Sequence, residues 1–181
     1  MEDNHRAKLK SQLIDAHGRI EYTFVQHHII ANRLLKRLHY IKIAEILLTA
    51  ISTVGFLATV IRNQVALAWL GGVGSAVALA ITLYTKDFSL DIEAKKHKDA
   101  ADALWLIREQ YKSLISDFDM LTDEEVRRKR DELILQVSGV NKNYPGTDDK
   151  SFKKAQKDLK EDEKQTFHPG EAAVSYTHLT L

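Results

Sequence analysis

Between Lys42 and Thr85 the chain carries almost no charge, and that stretch restricts its fold more than any other feature. Residues 43–61 read IAEILLTAISTVGFLATVI, 19 residues whose single charge is Glu45 in the first turn. Residues 65–84 read VALAWLGGVGSAVALAITLY, 20 residues with no charge. A helix crossing the hydrocarbon of a bilayer needs about 20 apolar residues. Only Arg62-Asn63-Gln64 joins the two segments, a link so short that it permits only an antiparallel pair. A helical hairpin buried in a soluble core is the competing reading, but soluble helices keep a polar face and neither segment has one. The glycines inside the segments also suit lipid better than water. The expected fold is an all-α membrane protein: a two-helix transmembrane hairpin with long amphipathic cytoplasmic helices.

The flanks are the opposite in character, so the mean hydropathy of −0.28 averages over a sharp contrast. Lys and Arg number 26 against 25 Asp and Glu, which offers no basic excess for nucleic acid. No cysteine is present, which excludes disulfides, thiolate zinc sites and a cysteine nucleophile. The first proline is Pro145, consistent with a mainly helical chain. Residues 1–20 are too polar for a cleavable signal peptide, so the first span is expected to serve as the anchor. Arg33, Lys36, Arg37 and Lys42 precede the spans and Lys86, Lys95, Lys96 and Lys98 follow them, whereas the link holds only Arg62. Positive residues stay on the cytoplasmic side, which predicts both termini there. Trp69 and Tyr84 fall near opposite ends of the second span, as interfacial aromatics do.

The spans differ in content. In the first, Lys42, Glu45, Thr49, Ser52, Thr59 and Asn63 form a polar stripe at helical steps, with Phe56 between Ser52 and Thr59. Such a stripe suits a water-lined path in an oligomer, with Phe56 as a constriction. It equally suits hydroxyls bonded to backbone carbonyls or to the second span, with Glu45 paired to Lys42. In the second span, small residues recur at four-residue spacing: Gly71 with Ser75, Gly72 with Ala76 and Ala80, and Gly74 with Ala78. Spacing of this kind lets helix backbones approach in lipid. Two small faces favour a second helix contact, hence a homo-oligomer, unless one wide groove seats the first span alone.

Before the spans, Leu9, Leu13, Ala16, Ile20, Phe24, His27, Ala31, Leu34 and Leu38 form a seam of coiled-coil type. After them, Leu90, Ala94, His97, Ala101, Leu104, Tyr111, Ile115 and Phe118 form another, interrupted by Arg108. No breaker separates Tyr84 from Leu90, so the second span is expected to run on into this helix. The seams are antiparallel and can pack together, placing His27 and His97 at similar depths; with His28 they make only a weak metal or pH site. Thr122 and Glu125 form a capping box opening a helix through Val126, Arg130, Leu133, Val137 and Val140. Tyr144-Pro145-Gly146-Thr147 forces a turn, and a last helix through Phe152, Ala155 and Leu159 reads as solvated. The ending VSYTHLTL is similar to translated sequencing-adapter read-through. The expected segments are thus 1–42, 43–84 (the spans 43–61 and 65–84), 85–140, 141–167, and a disordered or non-native tail, 168–181.

No GxGxxG, P-loop, HExxH, GxSxG or Cys/His cluster is present. No catalytic, cofactor-binding or metal-ligating residue is therefore expected. Instead, the approach HGRIEYTFVQHHIIANRLLKRLHY (17–40), the hairpin, the exit HKDAADALWLIREQYKSLISDF (97–118), RRKRDEL (127–133) and the region 144–167 together resemble the SLATT family. These are bacterial two-transmembrane effector domains associated with nucleotide-generating and nucleotide-sensing modules. The resemblance implies an antiphage or conflict-system effector of the inner membrane. Such an effector would oligomerise and permeabilise the bilayer on a nucleotide signal, with a nucleotide-second-messenger synthase or a nucleotide-sensing protein as partner. It carries over no ligand-binding residue, and the alternative is a non-conducting membrane adaptor that recruits a cytoplasmic partner.

Because the chain lacks cysteine, single cysteines report topology without background. Asn63→Cys should react with a membrane-impermeant maleimide on intact spheroplasts, and Ser11→Cys only after lysis. Labelling in the reverse order overturns the expected orientation.

Overall fold

The computed structural model describes residues 2–62 and 65–162, without the side chains of 2, 3, 59, 60 and 62. The elements are α1 (Glu2–Arg62), α2 (Val65–Phe88), α3 (Leu90–Ser116), a 3₁₀ turn (Phe118–Met120), α4 (Asp123–Asn143) and α5 (Asp149–Lys160). No strand occurs among the described residues. Helix α1 runs unbroken for 61 residues through the expected border at 42/43. It contains no proline, and continuous polar-to-apolar change in sequence does not interrupt backbone hydrogen bonding. The expected tail, 168–181, lies outside the described residues.

The second span runs on into the following helix across one local break: α2 ends at Phe88 and α3 begins at Leu90, while the four-residue hydrogen bonding continues through Ser89. Ser89 between them has φ 37°, in the left-handed region where a Cβ is unfavourable. Its N–H still donates to the Thr85 carbonyl at 3.2 Å, while its Oγ donates to the Lys86 carbonyl at 3.2 Å. Serine can offer its backbone such local alternatives without the Gly or Pro that usually announces a break.

The chain divides into two compact units, residues 1–31 with 95–181, and residues 32–94. The described core of the first unit is helical throughout. Leu9, Leu13, Ile20 and Phe24 of α1 are buried with Ala101, Leu104 and Tyr111 of α3, as the two seams predict. Val126, Leu133 and Val140 bring in α4 at seven-residue spacing. Near the end of α3, Leu114 is buried and Ile115 only partly so. Helix α5 is less solvated than its charge pattern suggests, since Ser151, Ala155 and Leu159 form a narrow buried face. Phe152 stays half exposed and stacks on Tyr22, with ring centroids 6.0 Å apart.

Polar groups fix the helix ends and the seam. Thr122 caps α4 in the capping box read from the sequence. Hydrogen bonds from the Thr122 backbone and side chain hold the Glu125 carboxyl below its usual range. Arg6 donates to the Phe118 and Leu121 carbonyls at 2.8 and 2.9 Å and pairs with Asp123, pinning the 3₁₀ turn to α1. Arg108, the interruption in the second seam, pairs with Glu21 at 3.4 Å and lies over the Phe24 ring. Two charges at this depth are tolerated because each meets the other.

His27 and His97 are both buried, and their Nδ1 atoms lie 2.9 Å apart. A hydrogen bond between them requires one ring to donate and the other to accept, so at most one facing nitrogen carries a proton. Burial, with help from His97 and His28, pushes the His27 pKa down to about 4. Between that value and the ordinary 6.5 the unfolded chain binds more protons at this residue than the folded one. Stability contributed here is therefore full above pH 6.5 and lost as pH falls towards 4. The loss should be on the order of 1–3 kcal/mol. Thermal unfolding between pH 7 and 4 should show it, and His27→Gln should flatten the slope.

Candidate functional site

The second unit, residues 32–94, contains the apolar part of α1, all of α2 and the start of α3. Among the described residues two helices are long and apolar enough to cross a membrane. Their most apolar windows are only 6% and 17% buried, so they are not the enclosed core helices of a soluble protein. Ile46, Ile51, Val54, Val65, Leu70 and Val73 all point outward.

What joins α1 to α2 is backbone proximity. A Cβ added at Gly55 would lie 3.2 Å from the Leu67 carbonyl oxygen, and one at Gly71 would lie 3.1 Å from that of Ser52. A Cβ at Gly74 would come within 2.6 Å of the Ser52 Oγ. Thus Gly71, Gly74 and Ala78, at steps of three and four, form the buried contact face of α2. Gly72, Ser75, Ala76 and Ala80 are exposed, and a Cβ at Gly72 would meet nothing within 4 Å. Small residues therefore do occupy two faces, one seating the partner span and one left open. Gly55 gives no four-residue signal in the sequence, because Ile51 and Thr59, rather than Gly, Ala or Ser, stand four residues to either side of it.

The polar stripe of α1 lies beside this contact. Ser52 is buried and its Oγ donates to the Leu48 carbonyl at 2.8 Å. Thr49 donates to the Glu45 carbonyl at 2.8 Å, and Thr53 to the Thr49 carbonyl at 2.9 Å. Glu45 accepts a hydrogen bond from Thr82 of α2. Lys42 and Phe56 are exposed; the Thr59 side chain and Asn63 lie outside the described residues.

Stripe and small face meet in one open groove of about 630 Å³. Glu45, Thr49, Ser52, Thr53 and Phe56 line it from α1, and Gly71, Gly72, Ser75, Ala78 and Thr82 from α2, joined by Ala68 and Leu79. Sequence spacing had not connected the two features, and it omitted Thr82 and Thr53. Thr82 could have been found, since Gly71, Ser75, Ala78 and Thr82 follow steps of four, three and four. Beside this unit's Tyr84, Arg37 donates to the phenol oxygen at 2.8 Å, and the Phe88 ring follows at 4.5 Å. Each hydroxyl in the groove has acceptor capacity beyond the one bond it donates. Chemically the groove offers a carboxylate, a row of hydroxyls and an accessible backbone at Gly72. Among the described residues no group of three or more His, Asp or Glu could hold a metal ion.

A family model described as SMODS and SLOG-associating 2TM effector domain family 4 matches residues 9–171. No curated protein and no solved structure matches the chain.

The two faces of α2 should respond differently to one added methyl group. Gly71→Ala should destabilise the hairpin by about 1–3 kcal/mol, as overpacking does, and Gly72→Ala by less than about 0.5 kcal/mol. Unfolding of the full chain in mild detergent measures both.

Proposed function

The chain belongs to the SMODS and SLOG-associating two-transmembrane effector family, and on that premise we propose that it permeabilises a bacterial inner membrane as the effector of an antiphage or conflict system. Copies of the hairpin associate through the groove, with Gly72 and Ser75 admitting a neighbouring helix and Glu45 and Thr49 facing the path between copies. Both termini lie in the cytoplasm, where a nucleotide signal, made or sensed by a partner protein, triggers assembly. Family membership supports a membrane effector rather than an enzyme.

The observation that carries the reading is the convergence of polar side chains and small residues in one open groove on an otherwise apolar hairpin. A carboxylate and hydroxyls facing hydrocarbon are unfavourable, so such a face is expected to meet protein or water. Phe56, exposed at the groove, supplies the apolar constriction that would keep a resting assembly closed.

The adaptor reading draws on a different observation. Trp105 and Leu106 of α3 are about half exposed, an apolar pair suited to a protein partner. An adaptor predicts no toxicity and no sensitivity to changes in the groove.

Induced expression with the activating system should arrest growth and release a trapped dye. Thr49→Leu with Ser75→Leu should reduce dye release by about tenfold or more while membrane insertion persists. Unchanged release from a normally inserted double variant rejects the groove as the path; loss of function without any leakage in the parent protein favours the adaptor.

A further inference from the structure

Within the first unit, α1, α3 and α4 line a second, open-sided cavity of about 560 Å³, which the membrane chemistry does not use. Its volume falls in the range occupied by small-molecule ligands. Helix α1 contributes Gln12, Arg19 and Thr23 on one face, α4 contributes Arg130 and Asn141, and α3 contributes Tyr111. Ile20, Leu104 and Val137 supply an apolar floor. Two guanidinium groups and no carboxylate line the space, although the chain as a whole is almost neutral at +1.

The two arginines act on one wall. Arg19, Arg130 and Tyr111 line the same cavity; burial raises the Tyr111 pKa, the two guanidinium charges oppose that rise and the Asp131 carboxylate adds to it. Arg130 is held in place: its Nη1 donates to Gln12 Oε1 at 3.1 Å, and its Nε and Nη2 donate to Asp131 Oδ1 at 3.0 and 2.8 Å. The Asp131 side chain is 61% exposed and does not line the cavity. Such an exposed pair is weak and yields readily to a competing anion.

Guanidinium groups match phosphate oxygens in geometry as well as charge. An apolar floor accepts the flat face of a base, and amides and hydroxyls at the rim can read its edge and the sugar. We propose that this cavity binds a nucleotide, with phosphate between Arg19 and Arg130 and the base against Ile20, Leu104 and Val137. Gln12, Thr23 and Asn141 then contact the base edge and ribose. The site would be the receiver of the signal in the effector described above, and its physiological meaning rests on that reading.

The full chain in detergent should be titrated calorimetrically with cyclic AMP, cyclic di-AMP and ADP. At least one should bind saturably with a Kd below about 1 mM, and adenosine, which lacks phosphate, should bind at least about tenfold more weakly. Arg19→Gln and Arg130→Gln should each weaken binding by about tenfold or more, with helical content by circular dichroism unchanged. No saturable binding of any of the three, binding indifferent to both substitutions, or displacement by dihexanoyl phosphatidylglycerol (a lipid headgroup site instead) each overturns the proposal. Dye release from liposomes separates the two readings. Nucleotide binding that needs both arginines but never affects release leaves the pocket standing and rejects the effector. Release that responds to nucleotide equally in parent and variants rejects the pocket and keeps the effector.

Discussion

Only two residues separate the end of α1 from the start of α2, and the rest of the second unit follows from that shortness. The two apolar helices have to turn back on each other, and in lipid no exclusion of water drives them together. Their association has to come from contact, which Gly55, Gly71 and Gly74 permit by letting backbone meet backbone. Once that face of α2 is committed, the rotation of α1 about it is settled as well. Ser52 sits in the contact, and Glu45 and Thr49 are carried to the edge where Ser75 and Thr82 emerge. The groove is thus a by-product of how two spans pack, with its chemistry decided by the residues flanking the seam.

The two units solve opposite problems. In residues 1–31 with 95–181, apolar side chains are gathered inward and charged groups are paired where they fall near the interior, as Arg108 is with Glu21. In residues 32–94 most large apolar side chains face outward and, Leu90 apart, the buried positions among the described residues are glycine, alanine and serine. The same helical geometry serves both, with the solvent reversed.

Most of this was legible in the sequence because both units rest on periodicity. The spans announce themselves by missing charge, and Leu13, Phe24, Leu104 and Tyr111 announce the seams by their spacing. The capping box at Thr122 was legible because its hydrogen bonds are local. Three features were not. The break at Ser89 has no distinctive residue, since serine occurs freely within helices too. The burial of α5 depends on Ser151 and Ala155, whose small apolar surface gives a weak signal against the surrounding lysines. The joining of stripe and small face depends on how α1 is rotated against α2, which one-dimensional spacing does not encode.

Gly74 and Ser52 give the hairpin an unusual sensitivity to the mildest of substitutions. Alanine scanning treats the methyl group as a neutral replacement, but at positions 55, 71 and 74 it is an added wedge against a neighbouring backbone or hydroxyl. A genetic screen of this protein would therefore score these glycines as sensitive for reasons of space, whatever the spans conduct. Residues that truly carry the activity would be found among the bulkier replacements that the open side, at Gly72, accepts or refuses.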